Sequence, residues 1–110
     1  MKNEKLKITL LMDTSDNTAI SIGLKVNYKT YIQTKKITSN KTQIILPMID
    51  NILKKHGIRL KDISAIEVNA GPGSFTGIRV GLAIANALSF ARKVPVNGRS
   101  VGEIILPIYK

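Results

Sequence analysis

The stretch with the most chemical promise in this chain is Gly71-Pro-Gly-Ser-Phe-Thr-Gly77. Glycines at 71 and 73 permit backbone angles that a Cβ forbids, and Pro72 fixes φ between them. Ser74 or Thr76 can cap a following helix by accepting a hydrogen bond from its free N–H groups. A helix N-terminus behind such a turn can hold an anion. A phosphate loop, however, needs a lysine after its last glycine, and Gly77 is followed by Ile78. The spacing also departs from the dinucleotide fingerprint, so a tight turn that lets a helix pack on its sheet is the simpler reading. Asp13 and Asp16 are spaced to share Mg²⁺ or, more simply, to close a turn at a strand end. A metal site needs clustered His, Cys or carboxylate ligands. His56, the single histidine, follows Lys54 and Lys55 and reads as solvated or capping. Asp50 and Asp62 lie near lysines and read as surface charges. Ser74 has no base in view, so no Ser–His–Asp arrangement is supported. The residues offer no complete catalytic set.

The elements that must position these residues follow from periodicity. Leu6 to Met12 turns apolar, as a buried central strand does, and Asp13-Thr-Ser-Asp-Asn17 is a turn. Ala19, Ile20, Ile22, Leu24 and Val26 predict a second strand, Asn27 a hairpin, and Tyr28 to Ile37 a third strand. In that strand Tyr28, Thr30, Ile32 and Thr34 share one face, and Lys29, Tyr31, Gln33 and Lys35 share the wetter one. Ser39-Asn-Lys-Thr42 has helix-start chemistry, and Ile44, Ile45, Met48, Ile49, Ile52 and Leu53 recur at helical spacing. Pro47 should bend that helix or mark its true start, and Gly57 should end it. After a short connection at Leu60 to Asp62, Ile63, Ala65, Ile66 and Val68 predict a strand parallel to the first. The glycine turn and a long helix, Thr76 to Ala91, follow. Val94-Pro-Val-Asn97 predicts a short last strand, and Val101 to Ile105 a final helical turn. This α/β order is a three-strand meander, then α-β-α-β, in a mixed five-stranded sheet with packed helices.

The long helix is apolar over most of its circumference. Arg79, Asn86 and Lys93 form its strongly polar sector, bordered by Ala83 and Phe90. Val80, Ile84, Leu88 and Ala91 lie on one flank, and Ile78, Leu82 and Ala85 on the other. A helix covering one side of a core needs an apolar stripe only a little over about 100° wide. This one should therefore be buried on two sides, by its own sheet and by something else.

Composition bounds the reading. The chain has 110 residues, of which 44% are hydrophobic, enough for one cored domain over 1–110. It has no cysteine, which excludes a disulfide framework and a thiolate metal site and suits a reducing cytosol. No segment has the length of a membrane span, so a soluble cytoplasmic protein is expected. The net charge of +10 fits a nucleic-acid partner. With aromatics at only 5% and not interleaved with the basic residues, a solvated lysine surface with weak attraction for RNA is preferred.

At Gly71-Pro-Gly-Ser-Phe-Thr-Gly-Ile-Arg-Val-Gly81 the chain resembles the TsaB family of bacterial tRNA threonylcarbamoyladenosine biosynthesis proteins. Three further stretches match in order: Leu11-Met-Asp-Thr-Ser15, Leu46-Pro-Met-Ile-Asp50 and Val94-Pro-Val-Asn-Gly-Arg-Ser100. The resemblance implies an actin-like, RNase H-like lobe, the N-terminal lobe of the family, with the second lobe absent. It implies no enzyme activity and no cofactor, but a scaffold for the related transferase TsaD, joined by the ATPase TsaE, in modifying the adenosine beside the anticodon. It also implies pairing through the two helices, with TsaD or with a second copy, and weak or indirect tRNA contact. The expected interface is Ile45, Met48, Ile49 and Ile52 on the first helix; Gly73, Ser74, Phe75 and Thr76 at the turn; and Ile78, Arg79, Leu82, Ala83 and Asn86 on the second. The departures are Lys41-Thr42 where many relatives have His-Ser, no metal-binding histidine pair, and no glycine after Asp13 as in ATP-binding relatives. The alternatives to a scaffold are an ATP-dependent transferase or kinase-like half-enzyme and a basic tRNA-binding module.

Overall fold

The computed structural model describes residues 6–37 and 41–108. Strands β1 (Ile8–Asp13), β2 (Ala19–Val26) and β3 (Lys29–Lys36) form the meander. Helix α1 (Lys41–Lys55), a 3₁₀ turn (Leu60–Asp62), strand β4 (Ala65–Val68) and helix α2 (Phe75–Arg92) follow. The sheet has the order β3-β2-β1-β4, with β4 parallel to β1 and the other pairs antiparallel. The buried residues alternate along the strands: Ile8, Leu10 and Met12 on β1, Ile20, Ile22 and Leu24 on β2, Ile66 and Val68 on β4. They all face the helices, which add Ile44, Ile45, Met48, Ile49, Ile52 and Leu53 from α1 and Ile78, Leu82 and Ala85 from α2. One core thus lies between the sheet and both helices. No described helix is long and apolar enough to cross a membrane.

The sheet has four strands where five were predicted. Val94 to Asn97 makes only one bridge, Val96 to Ile66. Two backbone bonds flank it, Ile66 N–H to Pro95 O at 2.9 Å and Asn97 N–H to Ile66 O at 2.8 Å. Asn97 then turns to φ 52° and Gly98 to φ 73°, so the backbone leaves the sheet. The Asn97 carboxamide carries the ladder one step further. Its Oδ1 accepts from Val68 N–H at 2.8 Å and its Nδ2 donates to Val68 O at 3.0 Å. A side-chain amide presents the same donor and acceptor as a peptide, and here it replaces the missing strand.

Two other expectations are corrected. β3 shows the opposite wet face. Register places Tyr31 opposite Leu24 and Gln33 opposite Ile22, on the helix side, while Ile32 sits opposite Gly23 on the open side of the sheet. There Ile32 is 61% exposed. The final helical turn is a single turn instead, closed by Glu103 N–H to Ser100 O at 3.0 Å. The helix-start motif before α1 lies outside the described residues at Ser39 and Asn40. α1 itself runs through Pro47 without ending, and Gly57 closes it as expected, with Ile58 N–H reaching back to Leu53 O at 2.9 Å.

Ser74, one of the two proposed caps, is the N-cap of α2, accepting from Gly77 N–H at 3.2 Å. The first turns of α2 press against the turn after β1. Ser74 N–H donates to Ser15 O at 2.8 Å. A Cβ on Gly73 would come within 2.7 Å of Ser15 Cβ. Thr14, fully buried, donates from Oγ1 to Gly77 O at 2.5 Å. A Cβ on Gly81 would drive into that same hydroxyl. In a free helix Gly→Ala gains about 1 kcal/mol of propensity. Here overpacking against Thr14, typically about 1–3 kcal/mol, should exceed it. Gly81→Ala is therefore expected to lower stability in urea denaturation, and a stabilised variant would show that the contact does not constrain α2.

Candidate partner-docking surface

The solvent side of α2 is the lobe's least polar helix face. Exposed along it are Phe75, Thr76, Arg79, Ala83, Ala87, Phe90 and Ala91. Val80, Ile84 and Leu88 are half-buried beside it. Phe75 is 57% exposed and Phe90 79%. The Arg79 guanidinium lies over the Phe75 ring, 5.2 Å from its centroid, the distance of a cation–π contact. These residues border a shallow groove of about 460 Å³ lined by Phe75, Thr76, Arg79, Val80, Ala83 and Ile84. A second groove of about 370 Å³ runs across to α1, between Leu88 and the half-exposed Leu46. Small alanines let a neighbouring backbone come close, and the flanking phenylalanines offer large apolar area beside it.

The interface residues read from the sequence divide sharply. Gly73, Phe75, Thr76, Arg79 and Ala83 are exposed, and Ser74 and Asn86 are half-buried. Ile45, Met48, Ile49, Ile52, Ile78 and Leu82 are instead in the lobe's own core, which corrects their placement at a partner surface. The helical periodicity that singled them out is that of the core face. Asn86 is held by the chain itself. Its Nδ2 donates to Ile105 O and its Oδ1 accepts from Ile105 N–H, both at 3.1 Å. Leu46, Ala87 and Phe90, absent from the expected interface, are exposed; the wheel positions of Ala87 and Phe90, on the far side of α2 from Ala85, could have marked them as outward.

The other candidate centre is polar. At the ends of β1 and β4, Asp13 Oδ1 accepts from Ser15 N–H at 3.0 Å, Ser15 Oγ at 2.6 Å and Asn69 Nδ2 at 3.4 Å. Asn69 Nδ2 also donates to Ser15 Oγ at 3.1 Å. Asp16 closes its own turn, accepting from Thr18 N–H and Oγ1. The two carboxylates thus serve separate turns, and among the described residues no group of three or more His, Cys, Asp or Glu side chains gathers for a metal ion. His56 stacks on Tyr31 with ring centroids 4.2 Å apart.

Comparison with known proteins agrees with the fold. The family model for TsaD, tRNA N6-adenosine threonylcarbamoyltransferase, matches residues 31–104. The chain is 41% identical to the tRNA threonylcarbamoyladenosine biosynthesis protein TsaB of Buchnera aphidicola subsp. Baizongia pistaciae, over 82% of this chain and 40% of that protein. It is 42% identical to TsaB of Haemophilus influenzae, over 81% of this chain and 38% of that protein. Among solved structures it is similar to YeaZ from Pseudomonas aeruginosa, with TM-score 0.78 and 32% identity, covering 86% of this chain and 44% of that one. The chain therefore spans about two fifths of the length of the curated relatives it matches.

The polar centre has a definite acid signature. Partial burial pushes the Asp13 carboxyl up, but the hydrogen bonds from Ser15 and Asn69 outweigh it and hold it below the ordinary aspartate value. A depressed folded value contributes stability that is present above the unfolded value, about 3.9, and is lost as pH falls through the folded one. Wild type should thus exceed Asp13→Asn in stability at neutral pH, with the gap closing below about pH 4. Thermal unfolding of both proteins across that range checks it; a gap independent of pH would mean the carboxylate charge is irrelevant.

Proposed function

The chain belongs to the TsaD family and is TsaB-like within it; on that premise we propose that it acts in tRNA threonylcarbamoyladenosine biosynthesis as a non-catalytic scaffold that docks a TsaD-type enzyme. The outward face of α2 carries this reading. Each large apolar side chain left in water forgoes about 1.5–3 kcal/mol, and Phe75 and Phe90 both stand well into solvent. The alanines between them leave a smooth stripe on which a partner's helix can lie. Leu46 extends the surface onto α1. In this reading the free chain pairs with a second copy through the same face, a TsaE-type ATPase joins the assembly, and the setting is cytoplasmic. Asp13 and the glycine turn then serve to place α2 rather than to bind nucleotide. Every interaction observed at Asp13 is spent within the two turns.

The test uses the stripe's centre. Ala83 is exposed, so Ala83→Arg should keep the fold while placing a long cation where a helix must approach. Association with TsaD is expected to fall at least about tenfold, which corresponds to 1.4 kcal/mol, with an unchanged melting temperature. Leu82→Glu is expected to unfold the lobe instead, because Leu82 is 3% exposed and a buried, unpaired carboxylate is costly. If Ala83→Arg bound TsaD as tightly as wild type, the docking reading would be wrong.

A further inference from the structure

The charge of this chain is not spread evenly. β1 enters the sheet, the β2–β3 hairpin turns, and both long helices finish at one end of the lobe. Lys7, Lys29, Lys55, Arg59, Lys61 and Lys93 gather there. Arg92 ties the end of α2 to the 3₁₀ turn, its Nη2 donating to Lys61 O at 3.2 Å. The described carboxylate at this end is Asp62, 4.0 Å from Arg59; Asp50 lies further up α1 and pairs with Lys54 at 3.0 Å. Asp13 closes β1 at its far end and Asp16 lies just past it.

Aromatic rings stand among these cations. Tyr28, at the hairpin tip, is fully exposed. Tyr31 and His56 stack beside it, tilted 36°. Tyr28, Lys29, Tyr31 and His56 line a groove of about 480 Å³ floored by Leu6, Val26 and Ile58. The hairpin tip is fixed: Asn27 N–H donates to Lys7 O at 2.9 Å and Asn27 Oδ1 accepts from Lys7 N–H at 3.0 Å. Cations at helix C-termini complement the helix dipole, which accounts for Lys54, Lys55 and Arg92. It does not account for Lys7, Lys29 or Lys61, nor for a tyrosine ring held wholly in water.

We infer that this end of the lobe binds RNA, with the phosphodiester backbone over the lysines and an unpaired base stacked on Tyr28 or on the Tyr31–His56 pair. Cationic grooves with aromatic platforms are how proteins hold single-stranded nucleic acid, and RNA is read chiefly at unpaired loops. An acidic protein would match the lysines but leave the rings unused. Basic and aromatic residues that the sequence reading kept apart line one groove in the fold. It does not depend on the docking reading.

The test is fluorescence anisotropy of the full chain with a labelled RNA stem-loop and with a fully paired RNA duplex, across a salt series. The loop is expected to bind more tightly. Tyr28→Ala should weaken loop binding about tenfold and leave duplex binding and TsaD association unchanged; Tyr28 is too exposed for this to act through unfolding. Lys29→Ala should lower the log–log salt slope by about 0.7, while Lys36→Ala, at the other end of β3, should not. Three outcomes would overturn the inference. One is equal affinity for loop and duplex with Tyr28→Ala silent, which means diffuse attraction. Another is an equal loss of slope in Lys36→Ala. The third is displacement of the RNA by polyglutamate whose own binding needs Tyr28, which means an acidic protein partner. None of these touches the Ala83→Arg result, so the two readings fail separately.

Discussion

The contact between the start of α2 and the turn after β1 governs the rest of the lobe. The α2 backbone comes closer there than a Cβ permits, with Gly73 against Ser15 and Gly81 against the Thr14 side chain. The Thr14 hydroxyl, taken out of water, finds its acceptor at Gly77 O, which a buried donor requires. Together these contacts fix both the distance of α2 from the sheet and its rotation about its own axis. Rotation decides which residues meet the core. With Gly77 and Gly81 turned inward, Ile78, Leu82 and Ala85 follow them, and Ala83, Ala87 and Phe90 are left outside.

This constraint explains what could be read from the residues alone. The order of elements was legible because the buried strands alternate and α1 repeats its apolar residues at helical spacing. The apolar width of α2 was legible too. Its direction was not. A wheel that is oily nearly all round does not say which part meets the sheet, and the answer depends on a contact between positions 14 and 81 that no local pattern marks. For the same reason Ile78 was expected at an interface and is a core residue in the fold, and Ile45 and Ile52 on α1 likewise face the core. Asn86 looks like a free polar residue and is bound to the backbone of Ile105.

The missing fifth strand has a related cause. Val94-Pro-Val-Asn97 has strand composition, but Pro95 lacks an N–H and Asn97 takes a left-handed φ. The edge of β4 is still closed. Asn97 covers Ile66 and Val68, and Ile108 N–H donates to Ala70 O at 2.7 Å. An open strand edge invites pairing with another chain, and here a bridge, a side chain and an extended segment block it in turn. β3, at the opposite edge, carries Lys29, Lys35 and Lys36, a charge pattern that discourages the same event. Both edges thus resist pairing with another strand.

α2 also links the two surfaces the lobe presents. Its 18 residues span about 27 Å at 1.5 Å per residue, from the glycine turn to the basic end. The alanine stripe therefore leads from Phe75 directly to Phe90, one turn before Lys93. A protein lying along the stripe would end beside the cations without covering Tyr28, which projects from the hairpin on the far side of α1. The two surfaces adjoin but do not overlap, so occupying one leaves the other open. On the two readings proposed above, an enzyme on the stripe and an RNA at the basic end would lie side by side, with α2 setting the distance between them.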